Sequence, residues 1–362
     1  MAEVRLEHVI KRFGHPEKGV VAVNDLNLNI ADGEFLVLLG PSGCGKTTTL
    51  RMVAGLEQAS SGEIYIGDRA VNELPPGDRD IAFVFQFYAL YPHLSVRDNI
   101  SFPLRAQKLS KDEVDARVKR VSERLRIDHI LNRRPNRLPS GEQQRVALGR
   151  AMVRQPQVFL MDEPLTNLDA SLRSDMRVEL KHLQQELATT MLYVTHDQIE
   201  AMSMSHRIAV MNLGVLQQVD TPLDIYNHPR TLFVAKFIGS PPMNTVECRV
   251  GNDALHGLDS TFQIRLRDEY TSRLKGLPEV VFGIRAEDIS ITSADAADYD
   301  AEGSITLREP LGDETIYRVE VGGVAMMVKT APRLVFQRGE HVRLLFNRER
   351  IHLFDRVSGL AV

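Results

Sequence analysis

Gly40-Pro41-Ser42-Gly43-Cys44-Gly45-Lys46-Thr47 reads G-x-x-x-x-G-K-T in full, and its flanks decide the fold. Before it runs Phe35-Leu36-Val37-Leu38-Leu39, a continuous apolar stretch of strand length; after it, Thr47 to Ala54 is helix-like. Strand, glycine-rich loop and helix in that order are the context the motif requires. Glycine lets the backbone curl until successive N–H groups face one anion, and the following helix adds the positive end of its dipole. Pro41, Ser42, Gly43, Cys44, Gly45, Lys46, Thr47 and Thr48 are therefore the candidate phosphate-binding set. Lys46 is expected to reach the β- and γ-phosphates of a nucleotide, and the Thr47 hydroxyl to ligate Mg²⁺. A chance match has odds on the order of one in a hundred at average glycine usage, before the flanking pattern is counted. Cys44 reads as a small loop residue rather than a reactive thiol.

Outward from this loop, short apolar runs recur at Ile81 to Phe85, Val158 to Met161, Met191 to Val194 and Ile208 to Met211. Such runs suit parallel strands buried on both faces. Helical patterns lie between some of them. Leu172, Met176, Leu180, Leu183 and Leu187 share one helix face. Ser110-Lys111-Asp112-Glu113 is a capping box, followed by a stripe of Val114, Val118, Val121 and Leu125. The alternation predicts an α/β domain with a mainly parallel sheet. The pattern changes near Gly239-Ser240-Pro241-Pro242, which places a domain boundary there: 1–238 and 239–362. Beyond it, Thr315 to Val321 and Val324 to Lys329 flank Gly322-Gly323, a two-residue hairpin signal. With His341 to Phe346 and Ile351 to Phe354, the last third is expected to be a small antiparallel barrel or sandwich.

Val158-Phe159-Leu160-Met161-Asp162-Glu163 is an apolar strand ending in two carboxylates. Asp162 can hold the hydration shell of Mg²⁺, and Glu163 can polarise the attacking water, a role that supplies about 10² to 10⁴ in rate. An acidic pair after a strand is by itself only a solvated strand end; the phosphate loop upstream gives it meaning.

With both motifs in place, the chain resembles the ATP-binding-cassette family over essentially its whole length, and within it the ATPase subunits of carbohydrate importers. The resemblance implies a phosphate-loop α/β domain with a helical subdomain, then an all-β, oligonucleotide-binding-like regulatory domain. Gln86 stands at the family's Q-loop glutamine, which touches Mg²⁺ and the water. Asp169, in Leu168-Asp169, resembles the D-loop at a dimer seam, and His196, in Thr195-His196-Asp197, the switch histidine at the γ-phosphate. Phe13, in Lys11-Arg12-Phe13-Gly14, lies where the family stacks an aromatic ring on adenine; His15 to Gly19 then looks like a short insertion. The bland alternatives are a capping residue for Gln86 or His196 and a core ring for Phe13.

The family's signature, Leu-Ser-Gly-Gly-Gln, is altered here to Leu138-Pro139-Ser140-Gly141-Glu142. The resemblance assigns Ser140 and Gly141 to the γ-phosphate held by an opposite subunit. Pro139 supplies neither hydroxyl nor N–H, and Glu142 puts a carboxylate near an anion. At an effective dielectric of about 20, unit charges 4 Å apart cost about 4 kcal/mol. Glu142 must point away, pair with a cation, or weaken closure over ATP.

Phe87-Tyr88-Ala89-Leu90-Tyr91 resembles the importer segment that meets the coupling helix of a membrane-spanning permease subunit; the alternative is that these side chains are core. The family further implies a homodimer or a closely related partner ATPase, two permease subunits, an extracytoplasmic solute-binding protein engaged indirectly, and a peripheral place on the cytoplasmic face of the membrane. A sugar is the expected cargo, with polyamine or ferric-ion importers as the alternative. Soluble cassette proteins of DNA repair or translation are a further class, but the chain has one cassette and no sustained heptads. A phosphate-loop kinase would leave Gln86, Asp169 and His196 unexplained. A net charge of −4 and the lack of a basic patch with interleaved aromatics argue against nucleic acid. Cys44 and Cys248 are too distant in sequence to suggest a disulfide framework, and no apolar run is long enough for a membrane-spanning helix.

Overall fold

The computed structural model describes residues 2–15, 19–107, 109–265, 274, 276–292 and 299–362. The loop read at His15 to Gly19 lies outside the described residues at 16–18. Contacts divide the chain into two compact units, Met1–Leu223 and Asp224–Val362. This division falls earlier in the chain than the change of pattern at Gly239.

The first unit holds two sheets. One is antiparallel: β1 (Val4–Phe13), β2 (Val20–Ile30), β4 (Ser61–Ile66) and β5 (Arg69–Ala70), in the order β2-β1-β4-β5. The other contains β3 (Phe35–Leu39), β6 (Ile81–Val84), β7 (Val158–Asp162), β8 (Thr190–Thr195), β9 (Arg207–Asn212) and β10 (Val215–Asp220). Its order is β10-β9-β3-β8-β7-β6. All five expected strands are present in it and pair in parallel, while β10 adds an antiparallel edge. Every residue of β3, β7 and β8 is buried, which is why those strands read as unbroken apolar runs.

Residues of both sheets share one core, with Val4, Leu6, Leu26 and Ile30 packed among Leu36, Leu160 and Leu192. Around it lie α1 (Lys46–Ala54), α2 (Val96–Ala106), α3 (Lys111–Arg124), α4 (Ser140–Met152), α5 (Ala170–Leu187) and α6 (Gln198–Met204). Ser110 caps α3 by accepting from the Glu113 N–H, as its capping box predicts, and Val118, Val121 and Leu125 are buried. On α5, Met176, Leu180 and Leu183 are buried, whereas Leu172 and Leu187 at the stripe's ends are half-buried. Helices α2, α3 and α4 pack on one another as a helical subdomain. At Gly149 an added Cβ would come within 3.2 to 3.4 Å of Leu125, Val121 and Ile100, so α4 approaches its neighbours closely there.

The second unit begins within α7 (Pro222–Asn227), continues through α8 (Leu232–Phe237) and is otherwise β. One sheet comprises β11 (Asn244–Val250), β12 (Ala254–Gly257), β13 (Gln263–Arg265), β14 (Glu279–Ile284) and β20 (His352–Asp355). The other comprises β15 (Ile289–Thr292), β16 (Ala301–Pro310), β17 (Thr315–Val321), β18 (Val324–Thr330) and β19 (His341–Phe346). All pairings are antiparallel, and Phe282, Tyr317, Leu344 and Phe346 share a core with residues of both sheets. Val321 pairs with Val324 across Gly322 and Gly323, whose φ values of 56° and 88° are those a two-residue hairpin turn demands.

Candidate functional site

Parallel pairing brings together motifs far apart in sequence. The carboxyl ends of β3, β8, β7 and β6 lie side by side, and at about 4.8 Å per strand they span roughly 14 Å. The phosphate loop follows β3, His196 follows β8, Asp162 and Glu163 end β7, and Gln86 follows β6. Ligands of open α/β sheets bind at such strand ends.

The loop's glycines are there for clearance and backbone sign. A Cβ on Gly45 would stand 2.4 Å from the Ala22 carbonyl oxygen, and Gly45 and Gly43 have φ of 104° and 78°. Lys46 is buried and donates to the Gly40 and Pro41 carbonyls at 2.8 and 2.9 Å, with the Cys44 sulfur at 3.8 Å. Cys44 is buried, and burial raises its thiol pKa.

Thr47 Oγ1 donates to Asp162 Oδ1 at 2.9 Å. Burial is the largest influence on Asp162 and raises its pKa, opposed by the Thr47 hydrogen bond and by Arg51. A hydroxyl and a carboxylate this close form a hard-oxygen pair that fits Mg²⁺ or its hydration water. Glu163 has φ of 45°, a conformation that costs a non-glycine residue about 1–2 kcal/mol. It is held by its own N–H donating to the Val194 carbonyl at 3.0 Å. Its Oε2 accepts from Thr166 Oγ1 at 3.3 Å and lies 3.1 Å from His196 Nδ1.

Four residues after His196 is a group that motif reading missed. Glu200 is buried and accepts from Tyr193 OH at 2.8 Å and Thr195 Oγ1 at 2.7 Å. Thr195 Oγ1 in turn accepts from the Asp197 N–H at 3.0 Å, and Asp197 caps α6. Burial raises the Glu200 pKa and pushes that of Tyr193 well up. The available signal was the spacing Asp197-Gln198-Ile199-Glu200, a capping box whose glutamate turns inward instead of back to the cap.

Gln86 accepts from Asn167 Nδ2 through its backbone carbonyl at 3.0 Å, which ties it to the loop after β7. Tyr88 and Ala89 both have positive φ, 51° and 48°. Phe87 and Ala89 are exposed, while Tyr88, Leu90 and Tyr91 are half-buried. The segment is thus neither pure core nor free loop. Phe13 ends β1, is 42% exposed and carries Lys11 Nζ 4.7 Å from its ring centroid. Its pairing strand β2 is the one that abuts Gly45.

Asp169 caps α5 by accepting from the Leu172 N–H at 2.9 Å. Ser140 and Gly141 open α4, with Pro139 as its N-cap, one residue before the helix begins. Among the described residues no hydrogen bond joins Ser140 or Gly141 to the phosphate loop of the same chain. Glu142 does find a histidine beside it, since His129 Nε2 lies 3.8 Å from its Oε1; its Oε2 is buried with no hydrogen bond among the described residues. That distance exceeds a hydrogen bond and compensates the carboxylate only weakly.

Sheet order, phosphate loop and the Asp162–Glu163 strand end define a phosphate-loop nucleotide hydrolase. The family model for the ABC transporter matches residues 23–166, that for the MalK OB fold domain residues 239–289, and that for the TOBE domain residues 282–354. The chain is 50% identical to the trehalose/maltose import ATP-binding protein MalK of Thermococcus litoralis, with all of both chains covered. It is 45% identical to the oligosaccharides import ATP-binding protein MsmX of Bacillus subtilis, over 98% of each chain. A solved dimeric ATP-binding cassette in a post-hydrolysis state with ADP and Pi matches 60% of this chain and 98% of its own, at 32% identity and a TM-score of 0.55. The chain belongs to the ATP-binding-cassette transporter family, as an importer ATP-binding subunit of the MalK type. Its activity is ATP hydrolysis coupled to transport. Among the described residues no helix is long and apolar enough to cross a membrane.

Proposed function

We propose that the chain drives uptake of a sugar, as one of two ATPase subunits seated on the cytoplasmic face of the membrane beneath two permease subunits. The observation that carries this reading is the joint at the strand ends: Thr47 on Asp162 at 2.9 Å, with Glu163 beside it on His196 at 3.1 Å. The relatives named for trehalose/maltose and oligosaccharide import support a sugar as cargo.

In this reading, residues 41–48 cradle the phosphates of ATP, with Lys46 leaving its two carbonyl partners for phosphate oxygens. Phe13 stacks on adenine. Thr47, Asp162 and Gln86 hold Mg²⁺ directly or through its water, and the ion supplies electrostatic stabilisation of the phosphates. Glu163 polarises the attacking water, and His196 holds that carboxylate in place while facing the γ-phosphate. Ser140 and Gly141 close over the ATP of the opposite subunit, and Asp169 lies at the seam between the two. Phe87, Tyr88, Ala89, Leu90 and Tyr91 meet the permease. An extracytoplasmic solute-binding protein is engaged only through the permease, and no nucleic acid is involved. Residues 1–238 form the motor module, and 239–362 the regulatory one.

The test is sugar uptake by cells in which the chromosomal gene for this chain is deleted. Uptake of one sugar of a panel is expected to vanish, and to return with the wild-type chain but not with Lys46→Ala. Unchanged uptake across the panel, with loss of polyamine or ferric-ion uptake instead, would overturn the cargo assignment.

A further inference from the structure

The segment after Gln86 is held from two sides, and the holds divide at Phe87, which is 75% exposed. On one side, Asn167 from the loop after β7 fixes the Gln86 carbonyl. On the other, Arg150 in the last turn of α4 donates from Nη1 to the Ala89 carbonyl at 2.7 Å and from Nη2 to the Tyr88 carbonyl at 3.0 Å. Its guanidinium carbon also lies 5.4 Å from the Tyr91 ring centroid. Buried Asn99 of α2 completes this hold: its Oδ1 accepts from the Tyr91 N–H at 2.9 Å, and its Nδ2 donates to the Tyr91 carbonyl at 3.1 Å.

Arg150 is suited to this task by its fork. Two parallel N–H groups meet two successive carbonyls, which a lysine ammonium, a point donor, does not reproduce. Those carbonyls belong to two consecutive non-glycine residues in the left-handed region, a conformation that persists only where its surroundings enforce it. Burial lowers the Arg150 pKa, and its partners are carbonyls and a ring rather than a carboxylate, so the contact is directional more than an ion pair. Helix α4 is a stiff link. Ser140 and Arg150 sit on it about 15 Å apart at 1.5 Å per residue, and Gly149 seats it tightly on α2 and α3.

We propose that Arg150 is a positioning residue that ties the Tyr88–Tyr91 face to the helix beginning at Ser140, so that movement at that helix's start reaches this face separately from Gln86. The proposal rests on the reading that Ser140 and Gly141 answer to bound ATP and that Phe87 to Tyr91 meet the permease. The contacts of Arg150 themselves lie within this one chain.

The experiment is residue-resolved hydrogen exchange on the full chain in a Glu163→Gln background, with and without ATP, comparing Arg150 with Arg150→Lys and Arg150→Met. Lysine keeps charge and stem, so it stays informative if methionine compromises folding. Both variants are expected to lose at least tenfold of the ATP-induced change in exchange at residues 88–91, while Gln86 still responds and the ATP concentration for half-maximal response moves less than threefold. A wild-type ATP response at 88–91 in either variant would overturn the proposal. Co-purification of membrane-spanning proteins with wild type and Phe87→Asp tests the docking reading independently. Equal recovery would reject that reading, whatever exchange shows for Arg150.

Discussion

Thr47 Oγ1 donates to Asp162 Oδ1 across 2.9 Å, joining the first helix after the phosphate loop to the end of a strand 115 residues later. Asp162 is buried where charge is expensive. Burial raises the Asp162 pKa, so its carboxylate opposes folding as the pH rises above the unfolded value. Asp162→Asn should therefore raise the melting temperature of the nucleotide-free protein while weakening Mg²⁺-dependent ATP binding by about tenfold or more. Calorimetry and titration of ATP with and without Mg²⁺ check both halves. A variant that is less stable and binds Mg²⁺-ATP normally would remove Asp162 from the site.

Glu200 makes a separable prediction, because both donors to it are hydroxyls on one oxygen. Glu200→Gln can keep both bonds, whereas Glu200→Leu strands Tyr193 OH and Thr195 Oγ1 in the core at about 1–3 kcal/mol per group. Urea unfolding should rank wild type and Gln well above Leu, with kcat following the same order as the Thr195–Asp197 turn that carries His196 loosens. Equal kcat in all three would show that His196 is positioned without Glu200.

His352 gives the second unit a pH dependence. Its pKa is held down to about 4, first by burial and then by Arg285, His228 and Arg350. An unfolded histidine titrates near 6.5, so between these values the unfolded chain takes up the extra proton. The stabilisation is complete above about pH 6.5 and is lost as the pH falls toward 4, by up to about 3 kcal/mol. His352→Phe, which preserves stacking on Phe354, should flatten the fall in urea midpoint between pH 7.5 and 5. An unchanged slope would place the titration elsewhere.

The altered signature can be repaired. Pro139 offers no donor, and Glu142 has one oxygen 3.8 Å from His129 and the other buried with no hydrogen bond among the described residues. Converting Pro139-Ser140-Gly141-Glu142 to Ser-Gly-Gly-Gln restores a hydroxyl and removes the carboxylate. In a Glu163→Gln background, ATP-dependent dimerisation measured by sedimentation should tighten by about tenfold, the scale of one charge-assisted hydrogen bond. No change, or a weaker dimer, would mean that Glu142 already has a compensating cation or that Ser140 fully serves.

The parallel strands and the residues at their ends were legible because burial on both faces writes unbroken apolar runs, and phosphate chemistry demands fixed residue types. The antiparallel sheet of the first unit was not. Its longest strands, Val4–Phe13 and Val20–Ile30, alternate irregularly because the register between them shifts at several points, as after Leu6 and after Val9. Arg150 and Glu200 escaped for a different reason. A half-buried arginine late in a helix and a glutamate in a capping box have common surface readings, and only the folded backbone shows that one meets the carbonyls of Tyr88 and Ala89 and the other faces Tyr193.

We propose that Glu163 positions the water for hydrolysis while ATP binding itself closes a dimer. Glu163→Gln keeps the side-chain shape and removes the charge beside His196. Purified Glu163→Gln protein should bind Mg²⁺-ATP as wild type does, form a stable ATP-dependent dimer, and hydrolyse ATP at least about 100-fold more slowly. Wild-type turnover, or a variant that stays monomeric with ATP bound, would contradict it.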